Sequence, residues 1–357
     1  MGGLVSVVMP AYNRAHCITR SIDSVLNQSY PDVEVIVHDD GSTDGTAGLL
    51  ADRYGSNPRV RVQRAPNAGV SAARNQAFKL VRGDYVALLD SDDVFYPWKL
   101  EVQLACLRHA PQIGMVWTDM RAQTPDGKLV EERYLKVAYT NWRRFTNESI
   151  FSASVPLAQL TPQFARELGS TRLWTGDIFD AMLMGTLVHT STVLLTRERF
   201  EKVKYFREDL KLSGEDYDFH LRTCREGPVG FADVVSIIYE VGAADRLTRP
   251  AYKVQTALNF LNTVLPMIEA ERARIRLPEK MIREVTAEAH RWYAEELALT
   301  GQSATARPHF VKALKLEPKL RTAALLGLAY LPEPARGRLR QVTRTLRSLL
   351  PARRGGA

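Results

Sequence analysis

Apolar and polar positions follow two rhythms over the first hundred residues. Leu4 to Met9 (LVSVVM) is a short, nearly continuous apolar run, the pattern of a strand buried on both faces. Over residues 15–29, Ile18, Ile22, Val25 and Leu26 recur at helical spacing, and Pro31 closes the segment. VEVIVH (33–38), VRVQ (60–63) and YVALLD (85–90) read as further strands, with helices predicted over 45–54 and 71–82. Strands and helices alternating at this pace need crossover connections, which predicts a parallel sheet. Further on, 97–109 and 214–226 read as helices, and 115–119, 186–196 and 231–240 as strands. Residues 120–175 hold turn formers and aromatics without a period, and beyond about 250 the pattern is helical to the end. Ala294, Gly301, Ala306, Phe310, Ala313 and Pro318 are spaced roughly as in a tetratricopeptide helix pair. Only one such unit is visible, so a helical hairpin packed on the catalytic domain is the expectation.

Composition adds bounds. The 357 residues suffice for one large α/β domain and a smaller helical one, and 45% hydrophobic with 25% charged residues is ordinary for a globular protein. The net charge of +8 is concentrated: from Arg321 to the end there are eight arginines against one acid, Glu333. A uniformly basic nucleic-acid binder would not show this distribution, so that class is set aside. Cys17, Cys106 and Cys224 are scattered, with no metal-binding spacing, as for free thiols in a reducing compartment. The start reads directly into a strand without a signal-peptide pattern, and no apolar run approaches a bilayer span. A cytoplasmic location, peripheral to a membrane at most, is expected.

Three polar motifs gain meaning from where they fall. Pro10-Ala11-Tyr12-Asn13 closes the first predicted strand, Asp39-Asp40 (in HDDGSTDGT) the second, and Asp90-Ser91-Asp92-Asp93 the fourth. Ligands of open parallel sheets bind beyond the carboxyl ends of the strands, so all three should line one crevice. A carboxylate such as Asp40 accepts hydrogen bonds from a base or ribose. Asp90 and Asp92 suit Mg²⁺ or Mn²⁺, hard cations that take one or two carboxylates and fill the remainder with phosphate oxygen and water. No Walker loop and no GxGxxG follows the first strand. Taken singly, these motifs are also explained as turns, with Ser42, Thr43 or Asp44 capping a helix. A fourth motif, Gly214-Glu215-Asp216-Tyr217-Asp218, opens a predicted helix. Asp216 there is either a general base held ionised by the helix dipole or part of an acidic first turn capped by Ser213.

Together, VSVVMPAYNR (5–14), DDGSTDGT (39–46), NAGVSAARN (67–75), GDYVALLDSDD (83–93) and GEDYDFHLR (214–222) resemble glycosyltransferase family 2 over about residues 1–245. The resemblance implies a GT-A fold: a Rossmann-like α/β domain whose mostly parallel sheet is flanked by helices, here with a helical C-terminal region. It divides the chain into a catalytic domain (1–245, with a nucleotide-binding half 1–95 and an acceptor half 96–245) and a helical region (250–357). It implies inverting transfer from a nucleotide diphosphate sugar, most often a UDP-sugar. By the same resemblance, Pro10, Ala11, Tyr12 and Asn13 form the uridine pocket and Asp40 meets the uracil edge. Gly69 and Arg74 flank the nucleotide, Asp90 and Ser91 open the DxD motif on the ribose side, and Asp92 holds Mn²⁺ or Mg²⁺. Asp216 is the base, and Glu215 its acceptor-side neighbour. Many relatives carry Arg-x-His after the strand that follows this helix. Here that stretch is Tyr239-Glu240-Val241-Gly242, and Arg246 is the candidate to meet the diphosphate. His189 and His220 read as structural.

Residues 335–350 (ARGRLRQVTRTLRSLL) place Leu339, Val342, Leu346, Leu349 and Leu350 on one helical face among arginines. Such a basic amphipathic segment either lies on an anionic membrane, TAALLGLAYLP upstream dipping into its interface, or docks on its own domain. The first case favours a glycolipid acceptor, as in cell-envelope polysaccharide assembly, and the second a saccharide or small-molecule acceptor. The competing classes are a non-catalytic nucleotide-sugar or glycan binder, a nucleotidyltransferase, whose Gly-rich basic loop is missing from PAYNRAH, and a scaffold acting through its helical end.

Overall fold

A computed structural model describes residues 2–241 and 252–331. The chain divides into two compact units, residues 1–249 and 250–357. Arg246 and the basic segment 335–350 lie outside the described residues.

The first unit opens with β1 (Val5–Ala11), α1 (Ile18–Leu26), β2 (Val33–Asp39), α2 (Thr46–Tyr54), β3 (Val60–Arg64), α3 (Val70–Phe78) and β4 (Tyr85–Leu88). β1 and β2 are buried at every position, which is why their apolar runs are nearly unbroken. β3 buries only Val60 fully and turns Gln63 and Arg64 outward, as suits the sheet's edge. There follow β5 (Val94–Phe95), α4 (Lys99–His109), β6 (Met115–Gln123), β7 (Leu129–Glu131), β8 (Ala153–Pro156), β9 (Arg172–Gly176), β10 (Leu194–Thr196), α5 (Arg197–Val203), α6 (Glu215–Arg225) and β11 (Val229–Glu240). The sheet runs β3-β2-β1-β4-β10-β6-β11-β9-β8, with β5 on β11 and β7 on β6. β3, β2, β1 and β4 are mutually parallel, as expected, and so are β6 and β11. β10 joins the two parallel groups antiparallel to both.

Two expectations change. The strand read over 186–196 survives only as Leu194–Thr196, because Thr190–Thr192 forms a 3₁₀ turn. His189, Thr190, Ser191 and Thr192 are buried polar residues that serve internal hydrogen bonds, such as that from Gln103 Nε2 to the Thr192 carbonyl at 2.8 Å, rather than a sheet face. The helix read over 15–29 forms at Ile18–Leu26. Its expected first turn is pulled onto the loop before α2, where the Arg14 N–H donates to Thr46 Oγ1 at 2.9 Å and the Ala15 N–H to Asp44 Oδ2 at 3.0 Å.

The second unit contains α7 (Lys253–Ala270), α8 (Glu279–Leu299), α9 (Ser303–Leu316) and α10 (Leu320–Tyr330). Its core gathers Ala294 and Leu297 of α8, Ala306 and Phe310 of α9, and Ala329 of α10. Gly301, at φ +87°, makes the tight α8–α9 turn. The described part of TAALLGLAYLP is α10, with Leu325 and Leu326 packed on this core and Leu320 and Tyr330 exposed. No described helix is long and apolar enough to cross a membrane.

Candidate active site

The expected crevice assembles at the carboxyl ends of β1, β2 and β4. Asn13 takes a left-handed φ of +53°. Its N–H donates to Ser42 Oγ at 2.9 Å, and its Oδ1 accepts the Thr43 N–H at 2.8 Å. The Asp40 N–H donates to the Ala11 carbonyl at 2.8 Å, and its carboxylate accepts from the N–H groups of Ala68 and Gly69 at 2.8 and 2.9 Å. Asp40 thus pins the loop that leads into α3, its two oxygens retaining lone pairs for a ligand. Gly41, at φ +77°, is required: a Cβ there would stand 2.8 Å from the Asn67 nitrogen. Pro10 and Ala11 are buried in register with His38 and Asp39 and shape the strand end, while the Tyr12 ring is 46% exposed.

The DSDD loop hangs from α1 and from the segment before β10. The Ser91 carbonyl accepts Ser21 Oγ at 2.9 Å, and the Asp90 N–H donates to Ser191 Oγ at 3.0 Å. Asp90 Oδ1 accepts from Arg74 at 2.7 Å, and the other terminal nitrogen of Arg74 donates to Glu215 Oε1 at 3.0 Å. One buried guanidinium therefore clasps the strand-end acids to the first turn of α6. Phe206 supports it, its ring 4.8 Å from the guanidinium carbon and stacked on Phe219 of α6 at 4.2 Å. Burial opposes ionisation of Asp90, but the Arg74 charge outweighs it and holds the carboxyl below its ordinary pKa.

α6 begins at Glu215, and its N-cap is Gly214 at φ +94°, with no side-chain cap; Ser213 does not fill that position. The left-handed glycine starts the helix tightly, and the carboxylates complement its dipole. Glu215 is 6% exposed, and burial and the neighbouring Asp216 charge push its carboxyl pKa up despite Arg74. Asp216 is half-buried, with Oδ1 accepting the Tyr217 N–H at 2.7 Å. Glu215 is thus committed to the clasp and Asp216 is the carboxylate beside it. His220, paired with Thr190 Oγ1 at 3.2 Å, and His189 are both buried.

Asp92 is 22% exposed and 4.0 Å from Arg14, and Asp90, held by Arg74, is 30% exposed. Among the described residues no group of three or more His, Cys, Asp or Glu forms a metal cage. Two partly exposed carboxylates, Asp90 and Asp92, fit a Mg²⁺ or Mn²⁺ ion that completes its shell with phosphate oxygens and water. The sequence pattern gave no sign of Phe206 or Ser191. Both come from stretches without periodicity or with the wrong expected element.

The mostly parallel mixed sheet flanked by helices, with acids at its strand ends, is a GT-A arrangement. Residues 6–154 match the family model described as "Glycosyl transferase family 2". The chain is 40% identical over 152 residues to a chondroitin synthase and to a hyaluronan synthase of Pasteurella multocida, an alignment covering 43% of this chain and 15% of each synthase. An uncharacterized glycosyltransferase of Rickettsia typhi is 29% identical over 258 residues, covering 72% of this chain and 68% of the relative. Among solved structures, S. aureus TarS 1–349 in complex with UDP-GlcNAc superposes with a TM-score of 0.58 at 19% identity, covering 90% of this chain and 84% of that one. The mannosyltransferase PcManGT of Pyrobaculum calidifontis, with GDP-Man and Mn²⁺, gives a TM-score of 0.50 at 19% identity, covering 94% of this chain and 82% of that one.

Proposed function

We propose that the chain is a metal-dependent, inverting glycosyltransferase that moves a sugar from a UDP-sugar to an acceptor hydroxyl in polysaccharide or glycolipid synthesis. The observation that carries this reading is the Arg74 clasp, which ties Asp90 of the nucleotide crevice to Glu215, the residue before Asp216. The donor crevice and a candidate base are thereby held in one frame. The names of the two synthases and the nucleotide sugars bound by the two structural neighbours support the substrate class.

In this reading Tyr12 stacks on the base and Asp40 meets its edge, and Asp92 would hold a Mg²⁺ or Mn²⁺ ion whose charge would offset that of the diphosphate. Asp216 takes the proton of the acceptor hydroxyl. That oxygen forms a bond to the anomeric carbon as the carbon–oxygen bond to the diphosphate breaks on the opposite face, and the electron pair leaves with UDP. A base so placed contributes ~10²–10⁴ in rate.

The test is UDP or GDP release from a panel of nucleotide sugars with Mn²⁺ or EDTA, for wild type, Asp92→Ala and Asp216→Asn. Release from one donor, abolished by EDTA and by Asp92→Ala, is expected. Asp216→Asn is expected to bind donor normally and turn over at least ~100-fold more slowly. A wild type that neither binds nor turns over any nucleotide sugar sinks the reading and leaves a non-catalytic member of the family.

A further inference from the structure

Arg14 is an arginine of the crevice that the transfer mechanism leaves unused. It follows Tyr12 and Asn13 at the end of β1, and its backbone is anchored. Its N–H donates to Thr46 Oγ1 at 2.9 Å, and the next N–H, that of Ala15, donates to Asp44 Oδ2 at 3.0 Å. The guanidinium reaches into the site: Nη1 donates to the Asn13 carbonyl at 3.3 Å, and Nη2 stands 4.0 Å from Asp92 Oδ2. Both side chains of this pair are half-buried, so their charges act on each other with less screening than in open water.

Arg74 and Arg14 meet their acids differently. Arg74 stands 2.7 Å from Asp90 and 3.0 Å from Glu215, the lengths of hydrogen bonds that lock a guanidinium in place. At 4.0 Å, Arg14 attracts Asp92 through charge, and parting the two breaks no short hydrogen bond between them. Charge then decides what each does when ligands arrive. A guanidinium left beside Asp92 repels a divalent cation that approaches the same carboxylate. A diphosphate carries more negative charge than one carboxylate, and its oxygens match the guanidinium fork. Arg14 is thus placed to exchange one anion for the other.

We propose that Arg14 is a donor-binding residue that passes from Asp92 to the diphosphate, and so couples binding of the nucleotide to binding of the divalent cation. Before the donor binds, its charge neutralises Asp92 and keeps cation affinity low. Once it has turned to the diphosphate, Asp92 is released to the cation. A guanidinium that stayed in one place would change the two affinities separately and leave their coupling untouched; one that moves between the two anions changes the coupling itself. This rests on the transferase reading above and adds the residue that makes cation and donor bind together.

The experiment uses the full chain and calorimetry. Mn²⁺ and UDP are each titrated alone and in the presence of the other, with uridine as the probe that lacks phosphate. If the donor panel selects a guanine nucleotide, GDP and guanosine take their places. Wild type is expected to bind Mn²⁺ on the order of 100-fold more tightly with UDP bound, and UDP to gain the same factor from Mn²⁺. Arg14→Met removes the charge and keeps an unbranched stem. It is expected to bind Mn²⁺ alone about ten-fold more tightly than wild type and UDP alone about ten-fold more weakly, the worth of one charged contact. Its uridine affinity should match wild type, and its coupling factor should fall about ten-fold. Arg14→Lys, which keeps the charge without the fork, should show an intermediate coupling factor. Melting temperatures establish that the variants fold, and Arg14→Gln is the second uncharged variant with the same expectations. Unchanged Mn²⁺ affinity in the uncharged variants overturns the proposal, as does a coupling factor equal to that of wild type. A loss of uridine affinity as large as that of UDP overturns it too, because the crevice itself would then have been distorted. So does a wild type that binds UDP with no gain from Mn²⁺. A wild type that binds no nucleoside diphosphate, with or without Mn²⁺, overturns the transferase reading itself and this proposal with it.

Discussion

Arg74 carries more of the site than its place in a helix suggests. It is 4% exposed, satisfies two carboxylates, and rests on an aromatic ring. Removing it leaves Glu215 buried beside Asp216 with no cation. Arg74→Met is therefore expected to destabilise the first unit by about 3 kcal/mol, read by urea denaturation. Arg74→Lys restores the charge but not the fork, so it should recover part of the stability while turnover stays low. The alternation of strands and helices showed that acids would meet at the strand ends, and they do. It did not show which acids share a cation. Asp90, Asp92 and Glu215 all read simply as acids, and only the position of the Arg74 guanidinium shows that Asp90 and Glu215 are joined through it. Phe206, which supports that guanidinium, was illegible for a different reason: it lies between the predicted elements 186–196 and 214–226, where no period announces a direction.

Among the elements, the first four strands and three helices formed close to where periodicity put them, because burial on both faces or on one stripe leaves a plain record in the sequence. The segment before β10 failed that logic, since its alternating polar residues serve an internal network that imitates a half-exposed strand. The α8–α9 hairpin offers an element-scale test. His290 Nδ1 and His309 Nδ1 stand 3.0 Å apart, so one ring must donate and the other accept, and at most one can be protonated without losing the bond. Burial first, and the partner ring second, lower the His290 pKa to about 4. A histidine whose folded pKa is depressed contributes stability that is full above its unfolded value of ~6.5 and is lost as pH falls toward the folded value. The unfolded chain binds more protons over that range. Thermal stability of the second unit should therefore fall between about pH 6.5 and pH 4. His290→Gln should flatten this part of the profile, measured by calorimetry across pH.

For the whole molecule, the division at residue 249 sets a further expectation. All described candidate site residues, from Pro10 to Asp216, lie in the first unit. Residues 1–249 produced alone are expected to fold and to bind UDP in the presence of Mn²⁺ with the affinity of the full chain, by calorimetry. Loss of binding on truncation would assign the helical unit a direct part in the site. The sheet order has another consequence. β10 lies between β4 and β6, so the two parallel groups are not joined until a strand made late in synthesis arrives. Between Leu88 and Leu194 the ribosome adds roughly a hundred residues, about 5–20 s at typical elongation rates. Throughout that interval the far edge of β4 presents unpaired backbone groups beside an apolar face, a ready template for other nascent chains. The yield of soluble protein should thus depend on how fast codons 90–194 are read, independently of the final stability of the fold.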